Sequence, residues 1–268
     1  MAREYEMLIC TRKGPDDSTM WITLNNERMM NSLTETMQLE LHEVLSAIAF
    51  DNTIRCVVLT GAGTKAFCSG GDINLFQRLN NVTMYDFLYQ RGNDIQRLIT
   101  YMEKPVIAAV NGLCYAGGLE LALACDFIYA SQNAAFGLLE INLGLLAGWG
   151  GTVRLPRTIP VARAKEMIYR GERMTADEAL QWRLVNRVFP SQEKMYEAVN
   201  EVADEIVGKS PLALRAAKNV INNSITCDSI EAALAIERGS IMWLVSSEDM
   251  KEGVAAFVEK RAPKFQGT

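Results

Sequence analysis

The sequence predicts an α/β domain over residues 1–190 followed by an all-helical region over 191–268. Three observations carry that reading. The apolar runs RCVVLTG and VIAAV are short, rich in Val and Ile and bounded by turn residues, as buried parallel strands are. Segments of helical apolar period alternate with such runs as far as Pro190. Beyond it only helical patterns remain: EKMYEAVNEVADEIVGK, PLALRAAKNVINNS, IEAALAIERGSIMWLVSS and EDMKEGVAAFVEKR.

In order along the chain, EYEMLICTRKG and TMWITLNN pair as antiparallel strands about the turn Gly14-Pro15-Asp16-Asp17. ERMMNSL is a loop, and Thr34 opens an amphipathic helix that reaches about Phe50. After RCVVLTG comes GAGTKAFCSGGD (61–72), read as a glycine-rich loop and not as an element. A helix is expected around Met84–Tyr101, and Pro105 then opens the strand VIAAV, which Asn111-Gly112 ends. Ala116-Gly117-Gly118 lead into a short buried helix, LELALAC. PRTIPVARAKEMIYRG and TADEALQWRL are helices, the second capped by Thr175, and LVNRVFP is a short strand.

The totals exclude several classes of function. A chain of 268 residues, 49% hydrophobic and 22% charged, is ordinary for a soluble globular protein. Its net charge of −5 argues against nucleic acid or an anionic membrane as partner. No apolar run reaches membrane-spanning length, and MAREYEM has no signal-peptide core, so the expected location is the cytoplasm. Cys10, Cys56, Cys68, Cys114, Cys125 and Cys227 form no C-x-x-C pair and read as free thiols in a reducing compartment. The one histidine, His42, falls on a polar helix stripe with Glu35 and Gln38. As a solvated surface group it leaves no triad, no multi-histidine zinc site and no histidine base. No metal site is expected, and chemistry must run on carboxylates and backbone amides.

The stretch Val106–Gly151 is apolar almost throughout, yet it carries Glu120 and Glu140. A carboxylate in such surroundings is costly unless something holds it. Glu120 falls in the first turn of the short helix, where the helix dipole favours its ionised form. Glycines at that helix start leave N–H groups open to a ligand. The earlier loop formally contains G-x-G-x-x-A at Gly61–Ala66, but no helix opens after it and no acidic residue stands about twenty residues on. Nucleotide binding is therefore disfavoured, leaving a tight turn or amides at Gly70-Gly71 that face a ligand oxygen. Two N–H groups converging on one oxygen make an oxyanion hole, and carboxylates beside it suit proton transfer next to a carbonyl. Taken singly, Glu120 reads equally as a helix-start carboxylate held by backbone donors, and Glu140 as a salt-bridge partner.

The segments ITLNNERMMNSL, VVLTGAGTKAFCSGGDI, KPVIAAVNGLCYAGGLELALACDFIYAS, AAFGLLEINLGLLAGWGGTVRLPR and FVEKRAPKF change that balance. In order and spacing the chain resembles the crotonase (enoyl-CoA hydratase/isomerase) superfamily over essentially its whole length. The resemblance implies a spiral of repeated β-β-α units with a C-terminal helical region that mediates trimers, usually paired into hexamers. It implies an acyl-CoA thioester whose carbonyl sits between the amides of Gly71 and Gly117, with coenzyme A entering as part of the substrate and no separate cofactor. It implies that Glu120 and Glu140 hold the water of a hydratase, since the isomerases usually keep only one of these carboxylates. Glu140 is then the acid that protonates C2 and Glu120 the main water activator, with Gly148 orienting Glu140 or the water. Carried over with them are substrate contacts at Arg28, Met29 and Met30, at Ala66, Ser69, Gly70, Asp72 and Ile73, and at Phe257 and Lys260 of a neighbouring subunit.

The chain departs from the family pattern at Asn26-Glu27, where Arg-Pro is common, and at Leu139 and Ala147, where proline is usual. These bear on the acyl pocket, which Trp149 borders unless it is a core residue, and leave the acid/base pair intact. The function expected is reversible addition of water across C2–C3 of a 2-enoyl-CoA. The alternatives are a hydratase for a cyclic or dienoyl thioester, or a double-bond isomerase. An NAD-dependent oxidoreductase and a non-catalytic or RNA-binding scaffold are disfavoured by the failed fingerprint and by the acidic balance with both glutamates kept.

Overall fold

The computed structural model describes residues 4–78, 80–85, 87 and 91–268. Strands β1 (Leu8–Lys13) and β2 (Thr19–Leu24) pair antiparallel, with Leu8 opposite Leu24 and Lys13 opposite Thr19. β2 then runs parallel to β3 (Cys56–Gly61), and β5 (Val106–Val110), β7 (Phe127–Ser131) and β10 (Arg187–Phe189) extend the sheet. The strand order is β1-β2-β3-β5-β7-β10. A second sheet holds β4 (Ala66–Cys68), β6 (Leu113–Tyr115), β8 (Ala135–Gly137) and β9 (Met174–Thr175), in that order.

Each pass of the chain therefore lays one strand in the large sheet and the next in the small one. β3 leads to β4, β5 to β6 and β7 to β8, and helical segments return the chain for the following pass. This is the β-β-α spiral expected from the sequence. The uninterrupted burial of β3 and β5 follows from cover on both faces. Val57, Leu59, Ala108 and Val110 face the main core. Cys56, Val58, Ile107 and Ala109 alternate with them and face Met195, Val199, Ala203 and Val207 of α9 (Gln192–Val207). α9 thus covers the large sheet. Beyond it, α10 (Pro211–Ser224), α11 (Ile230–Leu244) and α12 (Glu248–Glu259) bury few residues, and α11 buries none.

Several expectations need correcting. Gly61–Asp72 contains an element after all, since Ala66–Cys68 is β4 and is fully buried. Its strand neighbour β6 lies more than forty residues on, so the pairing left no local signal. β6, β7, β8 and β9 match no strand expected from the sequence, each being five residues or fewer. The helix expected at Met84–Tyr101 is described as α3 (Asn81–Tyr85) and α4 (Asn93–Tyr101), preceded by α2 (Ile73–Phe76); residues 86 and 88–90 lie outside the described residues. The PRTIPVARAKEMIYRG helix divides into α6 (Gly151–Thr158) and α7 (Val161–Arg170), because Pro160 cannot continue α6 and caps α7. α1 (Glu35–Phe50) starts as expected, with the Thr34 hydroxyl accepting from Met37 N. Gln38, however, is buried, and its amide donates to the Leu33 carbonyl at 2.9 Å. His42 on the same helix is half-buried. Thr175 and Glu178 form a capping box at the start of α8 (Ala176–Gln181).

Candidate active site

Two tight turns and two glutamates meet in a cleft of about 1120 Å³. The first turn ends β6. Ala116 takes φ 50°, ψ −125°, a strained backbone for a residue with a Cβ. Its N–H donates to Gly137 O at 2.7 Å and its carbonyl accepts from Glu120 N at 3.0 Å, so both flanks hold the twist. Gly117 then begins α5 (Gly117–Ala124) with an N–H that no helical carbonyl can take. The second turn is Ser69-Gly70-Gly71, where Gly70 has φ 105° and a Cβ would lie 2.7 Å from the Ala116 Cβ. The turns are therefore packed on one another. A Cβ on Gly117 would stand 3.6 Å from Gly71 N, so the two amides border the same small space. Neither N–H donates to a protein acceptor among the described residues. Both are free for one oxygen.

Glu120 is only 3% exposed. Its Oε1 accepts from Trp149 N and Gly151 N, each at 2.7 Å. Gly150, at φ 103°, turns the chain so that α6 begins with the Gly151 N–H aimed at the carboxylate. Burial pushes Glu120 up to about 7, and the Glu140 charge adds to it, against the pull of the Gly151 and Trp149 donors. Glu140 opens the 3₁₀ turn Glu140–Leu143 that follows β8. Burial raises its pKa too, and its Oε2 is buried with no hydrogen-bond partner among the described residues. Two close carboxylates in an apolar cleft titrate together and hold a proton to higher pH than isolated glutamates. The two N–H donors on Glu120 oppose that rise without cancelling it.

Most of the residues expected at the site are brought together. Gly71, Gly117, Glu120, Glu140 and Gly148 line the cleft, as do Met29, Met30, Ser69, Asp72 and Ile73 at its mouth. Ser69 N donates to Met30 O at 3.0 Å and Leu33 N to Gly70 O at 2.8 Å, which joins the early loop to the glycine turn. Asp72 caps α2 through Asn74 N. Three expected contacts do not line the cleft. Arg28 is exposed outside it, Ala66 is buried in β4, and Gly70 contributes its carbonyl to Leu33. Phe257 and Lys260 lie at the end of α12 and line no part of the cleft within this chain. No cysteine lines it, and burial holds Cys56 and Cys68 up at about 12, as inert thiols. Among the described residues no cluster of His, Cys, Asp and Glu could hold a metal.

Sequence reasoning missed Asn31, the anchor of the early loop. It is fully buried at φ 54°; its amide donates to Ala62 O and Ala66 O, and its Oδ1 accepts from Asn26 N. A polar residue in a short loop has no periodicity to reveal it. Asn31→Ala is expected to cost about 2–4 kcal/mol by leaving buried partners unpaired at a strained φ. Asn31→Gly relieves the backbone and not the hydrogen bonds, so denaturant melts should find it nearly as unstable; wild-type stability in both would disprove the anchor role.

The family model for Enoyl-CoA hydratase/isomerase matches residues 15–268. The chain is 40% identical over 246 residues to the short-chain-enoyl-CoA hydratase of Clostridium acetobutylicum, covering 92% of each. It is 38% identical over 261 residues to the crotonyl-CoA hydratase of Syntrophomonas wolfei, covering 97% of this chain and 98% of that one. It is 39% identical over 247 residues to the 2,3-dehydroadipyl-CoA hydratase of Escherichia coli, covering 92% and 94%. Among solved structures, an enoyl-CoA hydratase from Bacillus anthracis superimposes with a TM-score of 0.94 at 38% identity, over 98% of this chain and all of that one.

Proposed function

This chain belongs to the enoyl-CoA hydratase/isomerase family, and on that premise we propose that it adds water reversibly across C2–C3 of a 2-enoyl-CoA. One observation carries the reading: both carboxylates face one cleft, one held by two backbone donors and the other with an unpartnered buried oxygen, beside two free amides. The Glu120 carboxylate takes a proton from water as the water oxygen bonds to C3. The C2–C3 π electrons move toward the thioester oxygen, and the N–H groups of Gly71 and Gly117 stabilise the enolate. Glu140 then gives its proton to C2. Two carboxylates are needed because one must be charged while the other is protonated.

The charged side chains lining the cleft are Asp72, Glu120 and Glu140, and among the described residues no cation lines it. A substrate ending in a second carboxylate would find no partner there, so an apolar acyl group is favoured over a dicarboxylic one. The chemistry asks for no cofactor beyond the CoA of the thioester. The helical region 191–268 is the proposed self-association surface, as trimer or hexamer. Ile230, Leu234, Ile241, Met242 and Trp243 stand exposed along α11 and support it. No helix among the described residues is long and apolar enough to cross a membrane, and a cytoplasmic location is proposed with the rest.

The test is loss of the conjugated enoyl-thioester absorbance with crotonyl-CoA. Fast loss supports hydration. A folded protein that binds CoA yet leaves the absorbance unchanged, for crotonyl-CoA and for longer 2-enoyl thioesters, would sink the hydratase reading.

A further inference from the structure

Trp149 has two attachments to the site. Its backbone N–H holds Glu120, and the residue lines the cleft. The ring is buried, with its centroid 5.2 Å from that of Phe87 at an interplanar angle of 37°. Met84 and Phe87 line the cleft as well. The Nε1 edge of the indole rests in a notch at Gly92. A Cβ built on Gly92 would lie 2.1 Å from Trp149 Nε1 and 2.3 Å from Cε2. Gly92 has φ −61° and ψ −52°, so its backbone needs no glycine, and glycine is a weak helix former. The missing Cβ is explained by the indole alone.

The indole is also poorly satisfied. Nε1 is buried with no hydrogen-bond partner among the described residues, as is Nε1 of Trp21 in the core behind the large sheet.

We propose that Trp149, seated by Gly92 and backed by Phe87, is the specificity-determining residue that closes the acyl end of the cleft and limits the substrate to short acyl chains. The inference rests on the acyl-CoA reading of this cleft. A chain that extends past the reacting carbons meets a rigid aromatic wall, which cannot yield while the notch holds it. Trp149→Ala removes the wall and keeps the backbone N–H on Glu120. Gly92→Ala pushes the indole out of its notch.

The test is calorimetric binding of butyryl-, hexanoyl- and octanoyl-CoA, which needs no turnover and so stands apart from the crotonyl-CoA assay. In the wild-type protein, affinity should fall from butyryl- to octanoyl-CoA; a steady rise with chain length would overturn the proposal whatever any variant does. In Trp149→Ala the octanoyl/butyryl affinity ratio should shift at least tenfold toward the longer chain, with a smaller shift in the same direction for Trp149→Leu. A ratio within twofold of wild type in either folded variant would make the indole merely a packing residue. Gly92→Ala should change the same ratio without touching any substrate itself, and an unchanged ratio there removes Gly92 from the device.

Discussion

Glu120→Gln should slow crotonyl-CoA hydration by about 10²–10⁴-fold and, above neutral pH, make the protein more stable than the wild type. The two effects share one cause. Glutamine still offers an oxygen to the Trp149 and Gly151 N–H groups, so the local structure is kept. It cannot take a proton from water. The stability gain follows from the direction of the pKa. Burial lifts Glu120 from 4.5 to about 7, so the fold prefers the protonated side chain. That preference acts fully below the ordinary carboxylate value and is lost as pH rises through about 7. At pH 8 the wild type carries a buried charge that costs on the order of 3 kcal/mol, at roughly 1.4 kcal/mol per pKa unit. The neutral glutamine carries none. The melting temperatures should differ most above pH 7 and converge below about pH 5. Glu140→Gln should show the same signs, since burial raises that carboxyl also. A destabilised Glu120→Gln protein at pH 8, or one that retains a tenth of the activity, would remove Glu120 from the role assigned to it.

Such destabilised charge explains why the site was partly legible without a structure. Two glutamates in an apolar stretch stand out because burying them is costly, and glycine runs beside them announce close backbone approach. Val106–Val110, the turn at Ala116 and α5 all follow from that one stretch. What stayed hidden was the support. Gln38 sits in a polar stripe by spacing, yet it turns inward to hold Leu33 O. Asn31 ties three segments through one side chain, and nothing in the loop ERMMNSL separates it from Asn25 or Asn26. The Trp149 and Gly151 donors come from backbone atoms, and a sequence names side chains only. The β4 strand depends on neighbours supplied by later passes of the spiral. Local patterns mark the chemistry, and long-range contacts decide what holds it in place.

Gly117 and Gly118 are adjacent and should fail in opposite ways when each is replaced by alanine. At Gly118 a Cβ would lie 2.2 Å from the Cys68 carbonyl oxygen, a backbone atom of β4 that cannot move aside. Gly118→Ala should therefore lose fold stability, read as a large drop in melting temperature. At Gly117 the nearest atom to a Cβ would be Leu33 Cδ1 at 3.0 Å, the end of a side chain that can turn. The next is Gly71 N at 3.6 Å, so the methyl would stand in the space the two amides share. Gly117→Ala should keep its melting temperature within a few degrees and lose activity by about 10²–10³-fold, the effect of removing one oxyanion donor. The loss should fall mainly on kcat, because the donors matter most when the carbonyl oxygen carries the enolate charge. If Gly117→Ala folds normally and turns over within tenfold of wild type, the enolate is stabilised elsewhere. The free N–H groups of Gly71 and Gly117 would then be only the unpaired ends of two turns.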